Sequence, residues 1–147
     1  MLIIKLACSK DILVGKLGYI HFPQAFYAYV GSAMNGFEAR LPHHLRRKTK
    51  SHWHIDYLLE QAEIEEVVLC QVAQRRECLV AQALAKEFLS IPGFGSSDCK
   101  CRSHLYFGPR KDRLKAKAVE IMGIEGFVVC LEPDKLVGEG KCAHNYK

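Results

Sequence analysis

The stretch Phe26-Tyr27-Ala28-Tyr29-Val30-Gly31 decides the expected fold, because its alternation is that of a half-buried β-strand that ends at a glycine. Successive side chains of a strand point to opposite faces, so Tyr27 and Tyr29 should share one face. An earlier strand-like run covers residues 16–22, and Pro23-Gln24-Ala25 is the expected turn between the two runs. The sequence therefore predicts an antiparallel hairpin in this region.

Strand-like and helix-like patterns continue along the rest of the chain. The other predicted strands cover residues 2–6, 64–72, 104–107 and 126–131. One predicted helix begins at residue 36, and three others cover residues 52–60, 75–89 and 112–122. This order predicts an α+β fold with a small central antiparallel sheet flanked by helices. We expect one domain over residues 1–136 and a polar C-terminal tail over residues 137–147 that frays.

The chain is basic, and its charge is unevenly distributed. Its 147 residues carry a formal net charge of +5. Basic residues are concentrated in residues 40–50 and 100–117, and an acidic segment, residues 60–66, lies between them. Basic patches attract phosphate backbones whatever the base sequence, so DNA is the predicted partner. A solvated charged surface is the alternative interpretation.

Several classes of protein are excluded or disfavoured by composition. No stretch approaches the roughly 20 apolar residues that cross a bilayer. Met1 to Ala7 is apolar but too short for a signal peptide, so we expect a cytoplasmic protein. Seven cysteines are an odd number, and in that compartment reduced thiols or a metal site are expected rather than a disulfide framework.

Four residues have the chemistry that a phosphodiester nuclease needs. Such an enzyme must activate water, neutralise phosphate oxygens and hold a divalent cation. Arg40 and His44 are four residues apart on a predicted helix and would face one cleft. Glu77 offers the hard oxygen ligand that Mg²⁺ or Mn²⁺ prefers. Tyr29, at the end of its strand, completes the set.

These residues stand in a recognisable context. Tyr29-Val30-Gly31-Ser32-Ala33, followed by Arg40 and His44, resembles the second half of the signature of the GIY-YIG nuclease superfamily. Longer stretches are similar to the Uri-type branch of that superfamily. They are residues 27–33, 52–59, 77–81, 92–101 and 103–105.

The resemblance implies a metal-dependent DNA endonuclease, with DNA repair as its expected context. By this resemblance Tyr29 positions or activates the attacking water, Arg40 stabilises the phosphate and His44 assists. Glu77 would hold Mg²⁺ or Mn²⁺, and Tyr27 would assist from the same strand face. The superfamily's fold, a small central antiparallel sheet flanked by helices, agrees with the pattern of predicted elements.

The first half of the signature departs from the family's pattern. Members of the Uri-type branch usually carry a Gly-x-Tyr just before the first apolar strand, and none precedes residues 2–6. Gly18-Tyr19-Ile20 is one substitute and would make Tyr19 catalytic. In the favoured interpretation, residues 17–22 are an extra strand of the branch and Tyr19 is structural. A non-catalytic nucleic-acid-binding domain is therefore the alternative function.

Two further groups of residues are candidates for binding. The candidates for contact with nucleic acid are the basic residues after the predicted helix and a histidine of the next helix: Arg46, Arg47, Lys48, Lys50 and His54. For His54, packing in the core is the competing interpretation.

Cys99, Cys101 and His104 are ligand types that Zn²⁺ accepts in tetrahedral sites. Their spacing differs from the common CxxC pairs, and cysteines are also frequent buried residues. The prediction is therefore a tight loop that borders the active site. A structural Zn²⁺ in a zinc-stabilised interaction module is the alternative.

Overall fold

The computed structural model describes residues 1–31, 53–71, 77–122 and 127–131. The helix predicted to begin at residue 36 and the predicted tail, residues 137–147, lie outside the described residues. The strands are β1 (Leu2–Leu6), β2 (Lys10–Leu13), β3 (Tyr19–Phe22), β4 (Ala25–Tyr29), β5 (Glu63–Gln71), β6 (Leu89–Ser90), β7 (Leu105–Gly108) and β8 (Phe127–Leu131). The helices are α1 (His54–Leu59), α2 (Glu77–Ala85) and α3 (Lys111–Met122), and a short 3₁₀ turn covers Gly15–Leu17.

Six strands form one antiparallel sheet in the order β6-β7-β4-β1-β5-β8. β1 pairs with β4 on one side and with β5 on the other, and Leu2 lies opposite Tyr29. The pairing of β1 with β5 shifts register between Ile3 and Ile4. The predicted α+β fold with a central antiparallel sheet is confirmed.

The predicted hairpin between the second and third strand-like runs is wrong. β3 pairs with β2 in a separate two-stranded sheet, whereas β4 pairs with β1 and β7. Both hydrogen-bonding edges of β4 are therefore occupied by other strands. The turn at Pro23 instead carries the chain from the small sheet into the large one, and the next amide, that of Gln24, donates to Ser9 Oγ at 2.8 Å.

Alternation along β1 sends apolar side chains to both faces of the large sheet. Leu2, Ile4 and Leu6 belong to a core that also contains aromatic residues and the buried side of α1. Ile3 belongs to a second core, built with buried residues of α2 and α3. The large sheet is thus covered on both faces, and its helices α2 and α3 share one of them.

Basic α3 and acidic β5 are joined by ion pairs. Lys115 Nζ lies 2.8 Å from Glu66 Oε2, and Lys111 Nζ lies 3.5 Å from Glu66 Oε1 and 3.6 Å from Glu65 Oε2. Further along α3, Lys117 Nζ lies 2.9 Å from Glu87 Oε1. Three of the seven basic residues of the second basic patch are therefore paired with acids of the same molecule.

Among the helices that the structure describes, none combines the length and the apolar character that crossing a membrane requires.

Candidate metal centre and the adjoining tyrosine

The loop of residues 91–104, which leads into β7, is held by backbone hydrogen bonds along its length. Gly93 N donates to Arg102 O at 2.8 Å, and His104 N donates to Phe94 O at 2.8 Å. Buried Ser103 also exchanges hydrogen bonds with Leu105, donating to its carbonyl and accepting from its amide. A tight loop was predicted around Cys99, Cys101 and His104, and these bonds give the loop one defined path.

Phe94 anchors this loop in the aromatic-rich core. Its side chain is fully buried, and its ring makes edge contacts with Phe22 at 6.0 Å and with Tyr29 at 6.2 Å between ring centroids. The ring of His54 packs on Phe94 at 5.6 Å. The loop is thereby fixed against both the end of β4 and the start of α1.

Gly95 lies where the loop meets Tyr29. Its φ of +70° is a conformation that side-chain-bearing residues rarely adopt. A Cβ at this position would lie 2.9 Å from Tyr29 Cε2 and 3.3 Å from His104 Cβ. Glycine is therefore required for both space and conformation, and Tyr29 and His104 adjoin the same backbone position.

His54, at the first residue of α1, is tied to the same glycine. The amide of Gly95 donates to His54 Nδ1 at 2.9 Å. Burial lowers the pKa of His54, and an Nδ1 that accepts this bond must be unprotonated. Asp56 supports the helix start because its Oδ2 accepts from the amide of Trp53 at 2.8 Å. His54 is thus a neutral, positioned imidazole beside the loop.

Three thiols and one imidazole converge at the other side of the loop. In the described part of the chain, these four side chains form a group that could hold a metal ion. Their potential ligand atoms all lie within 4.8 Å of one another. Its members, called the Cys–His cluster below, are Cys78, Cys99, Cys101 and His104. Cys99 Sγ lies 3.4 Å from His104 Nε2.

Burial shifts the pKa values of three members of the Cys–His cluster. Burial raises the pKa of Cys78, and it raises that of Cys101 to about 12, with the neighbouring thiols adding to the effect on Cys101. Burial also lowers the pKa of His104, although the charges of Glu77 and Asp98 oppose this. Without a cation the thiols of Cys78 and Cys101 are therefore neutral. A bound cation would stabilise thiolates and leave the imidazole free to ligate.

The predicted metal ligand Glu77 borders this cluster. It is the first residue of α2 and directly precedes Cys78. Its charge acts on both Cys78 and His104. His104 is in turn bonded to the strand end that carries Tyr29, because Val30 N donates to His104 O at 2.9 Å. Two of the predicted site residues, Tyr29 and Glu77, therefore adjoin one loop.

The other predicted tyrosines lie in different surroundings. Tyr27 is fully buried, its hydroxyl donates to the carbonyl of Pro23, and burial raises its pKa above the ordinary value. These are the contacts of a packing side chain. Tyr19 belongs to the small two-stranded sheet and is 77% exposed, whereas Tyr29 belongs to the large sheet.

The remaining predicted residues lie outside the described residues. They are the arginine and histidine of the first predicted helix and the basic residues that follow it: Arg40, His44, Arg46, Arg47, Lys48 and Lys50.

Two residues of this site were not among the candidates from sequence. Cys78 comes from a helix far from the other thiols in the chain, although the resemblance had included it in the matching stretch of residues 77–81. Gly95 could not be recognised from the sequence, because a glycine has no functional side chain and its importance depends on the contact with Tyr29.

Comparison with protein families places the chain in one of them. No curated protein and no solved structure matches the chain significantly. The family model described as "Domain of unknown function DUF123" matches residues 1–125, a range that contains Tyr29, Glu77 and the whole Cys–His cluster. The chain belongs to the DUF123 family.

Proposed function

We propose that this protein is a divalent-metal-dependent endonuclease that hydrolyses DNA phosphodiester bonds. In this proposal Tyr29 positions or activates the attacking water, and Glu77 holds Mg²⁺ or Mn²⁺. Arg40 stabilises the phosphate and His44 assists, as the resemblance to GIY-YIG nucleases implies. DNA repair is the proposed context.

The single observation that carries the proposal is the convergence of Tyr29 and Glu77 on the loop of residues 91–104. They are separated by almost fifty positions in sequence, yet Tyr29 packs against Gly95, and Glu77 directly precedes Cys78, whose Sγ lies within 4.8 Å of a ring nitrogen of His104. A nuclease needs its water-activating group and its metal ligand close together. The order of these residues in the chain does not by itself bring both of them to one loop.

The catalytic cation of this proposal is distinct from any metal at the Cys–His cluster. Magnesium is a hard cation that takes oxygen ligands and keeps several waters, and thiolates are poor partners for it. A carboxylate such as Glu77 together with substrate phosphate is the typical ligand set. Soft ligands dominate the cluster, so the two sites would select different metals.

The charge near the loop also supports a phosphate-bearing substrate. Lys100 and Arg102 flank Cys101 and are exposed, whereas Lys111, Lys115 and Lys117 are engaged with acids. Two of the exposed basic residues of the second patch therefore lie on the loop itself, and Arg110 and Arg113 are exposed beyond it. Contacts of this kind would bind DNA without reading its sequence.

The proposal is tested by cleavage assays on single-stranded, duplex and branched DNA with Mg²⁺ or Mn²⁺. Tyr29→Phe should lower the cleavage rate by about 10²–10⁴-fold, the usual contribution of a positioned acid–base group. Glu77→Gln and Arg40→Ala should also abolish most activity. Wild-type protein that cleaves none of these substrates would refute the enzymatic proposal.

Matched controls separate chemistry from folding. Tyr19→Phe tests the alternative signature tyrosine, and an unchanged rate would support the structural interpretation of that residue. Glu87→Gln removes a carboxylate near the end of α2 that pairs with Lys117, and it should leave cleavage unchanged. If Glu87→Gln lowers the rate as much as Glu77→Gln does, the metal-binding role of Glu77 is wrong.

A zinc-stabilised interaction module is the second candidate, and the Cys–His cluster is the observation that favours it. A module of this kind predicts a folded, metal-containing protein that cleaves no DNA with either cation. If the wild-type protein binds DNA in a salt-sensitive way without cleaving it, and this binding persists in Glu77→Gln, the protein is instead a non-catalytic nucleic-acid-binding domain.

A further inference from the structure

We propose that the Cys–His cluster binds one Zn²⁺ in a closed tetrahedral site, which ties the first turn of α2 to the loop of residues 91–104. Cys78 supplies the ligand from α2, and the loop supplies the other three. The site is built from side chains of the described residues alone. It is independent of whether the protein cleaves DNA.

The geometry of the four ligand atoms is close to that of an occupied site. With Zn–S near 2.3 Å and Zn–N near 2.0–2.1 Å, a tetrahedron separates two sulfurs by about 3.8 Å and a sulfur from a nitrogen by about 3.6 Å. Cys99 Sγ and His104 Nε2 are already 3.4 Å apart, and every pair of ligand atoms lies within 4.8 Å. Side-chain adjustments of about an ångström would therefore close the site.

The ligand chemistry selects zinc among the common cations. Three thiols and one imidazole form the Cys₃His set of structural zinc sites, whereas Mg²⁺ and Ca²⁺ require oxygen. Four protein ligands leave no open coordination position, so this zinc would be structural rather than catalytic. Three thiolates would give the site a net charge of −1, and exposed Lys100 and Arg102 beside Cys101 reduce the cost of that charge.

A disulfide accounts less well for the same arrangement. A bond between two of the thiols would leave the third thiol and the imidazole of His104 gathered around it without a function. The cysteines are free thiols in the structure, and all four groups, rather than one pair, converge. Convergence of a histidine nitrogen with three sulfurs is the feature that a metal explains and a disulfide does not.

The site would also fix the position of Glu77. Because Cys78 is the next residue, zinc bound at Cys78 would anchor the first turn of α2 beside the loop that packs on Tyr29. This consequence rests on the proposed function, in which Glu77 holds the catalytic cation. Glu77 is a nuclease ligand in that proposal, and the zinc acts on it only by positioning.

The first experiment measures zinc in full-length protein purified under reducing conditions with zinc in the growth medium. Wild type and Cys8→Ser should each contain one zinc per chain, because Cys8 is exposed and lies outside the cluster. Cys99→Ser should lose zinc affinity by more than the roughly 10–100-fold that outer-shell changes cost. Zinc content in Cys99→Ser equal to that in Cys8→Ser would overturn the proposal.

A second measurement uses the wild-type chain, in case Cys99→Ser does not fold. Cobalt replaces zinc in the chelated and refilled protein, and its absorption spectrum reports both geometry and ligands. Strong visible bands of tetrahedral Co²⁺ with thiolate-to-cobalt charge transfer in the ultraviolet are expected. A weak octahedral spectrum, or a disulfide between cluster cysteines found by mass mapping of the untreated protein, would overturn the proposal.

Cleavage assays are run separately on the same preparations. A zinc-loaded protein without nuclease activity would refute the proposed function and leave the zinc site standing. An active nuclease with no zinc and no cobalt signature would refute the zinc site and leave the proposed function standing. The two failures are therefore distinguishable.

Discussion

The Cys–His cluster and the ion-paired surface of α3 differ in what the sequence says about them and in what the fold makes of them. The basic run of residues 100–117 stands out in the sequence, yet Lys111 and Lys115 are paired with glutamates of β5. The cysteines have an unusual spacing, yet the fold brings three of them together with His104. The number of basic residues in a sequence therefore overestimates the basic surface that is open to a ligand. A metal-binding cluster whose residues are distant in sequence is, in contrast, easily overlooked.

The two regions should also differ in energetic importance. Partly exposed ion pairs contribute little because water and salt screen them and the side chains lose freedom. A bound metal can contribute far more, because a site that exists only in the folded chain couples its binding energy to folding. The following predictions test this contrast, beginning with the largest expected effect.

Removing the α2 ligand should cause the largest loss. Cys78→Ser should abolish the stabilisation by zinc, which amounts to about 4 kcal/mol when free zinc exceeds its dissociation constant a thousandfold. Thermal unfolding with and without a chelator measures this. Wild type should lose stability on chelation and Cys78→Ser should not. Equal responses of the two proteins would remove the contrast between the cluster and the surface of α3.

Filling the space at Gly95 should have the next largest effect. Gly95→Ala would add a left-handed backbone penalty of about 1–2 kcal/mol and a similar overpacking cost against Tyr29 and His104. Gly93→Ala is the matched control, since its φ of +75° is similar but its nearest neighbour, Leu17 Cδ2, is at an ordinary 3.6 Å. Denaturant unfolding should show the larger loss for Gly95→Ala. Equal losses would mean that the contact with Tyr29 contributes nothing.

The pH dependence of stability should report the neutral state of His54. Its folded pKa lies below the ordinary value of 6.5, so the unfolded chain binds its proton first as the pH falls. The stabilisation that comes from neutral His54 is fully present above pH 6.5. It is lost as the pH falls from there through the pKa of His54 in the folded protein. His54→Asn retains an acceptor for the Gly95 amide but does not titrate, so its unfolding free energy should vary less over this range.

The comparison of His54→Asn with wild type is made as a difference between the two pH profiles, so that titration of other groups cancels. Both proteins should have similar stability at neutral pH, within the roughly 1 kcal/mol that one hydrogen bond contributes. Parallel profiles throughout would show that His54 does not titrate abnormally.

Breaking an ion pair of α3 should have the smallest effect. The hydrogen bond from Lys115 is the main cause of the lowered pKa of Glu66. The stabilisation that this ion pair gives the folded protein is present above the ordinary pKa of a glutamate, near 4.5. It is lost as the pH falls through the pKa of Glu66 in the folded protein. Lys115→Met should therefore cost only about 0.5–1 kcal/mol at neutral pH, and less in high salt.

Lys111→Met is the control for that measurement, because Lys111 lies 3.5 Å from the same carboxylate rather than 2.8 Å. It should raise the pKa of Glu66 less than Lys115→Met does, as carboxyl titration by nuclear magnetic resonance would show. A loss of several kcal/mol in either variant would contradict the assignment of these pairs to a weakly stabilising surface.

Most local elements were predictable, but the short strands Lys10–Leu13 and Leu89–Ser90 and one strand pairing were not. Runs such as residues 2–6 and 112–122 carry strong periodic patterns, and the structure has a strand and a helix there. The expected hairpin at Pro23 failed because β2, the preceding strand with which β3 pairs, is short and half charged and was not predicted. The partners of β4, by contrast, are β1 and β7, which are distant in the chain, so no local pattern contains this pairing.

The candidate site was predictable only in part for the same reason. Cys99, Cys101 and His104 are close in sequence, so their ligand types could be recognised, but three ligands with an unusual spacing favoured a packing role. Cys78 changes that balance, and only the packing of α2 against the sheet and loop brings it to the cluster. The use of Gly95 as the meeting point of Tyr29 and His104 likewise depends on three-dimensional contact.

The central position of β1 has a consequence for synthesis of the chain. The strand is translated before both of its neighbours, β4 and β5, and four of its five residues are buried in the finished sheet. At about 5–20 residues per second, roughly 3–12 s pass before β5 leaves the ribosome. During that interval a strongly apolar strand has at least one open edge, the edge that β5 later covers. Chaperones bind nascent chains in this state, and unprotected chains aggregate from it.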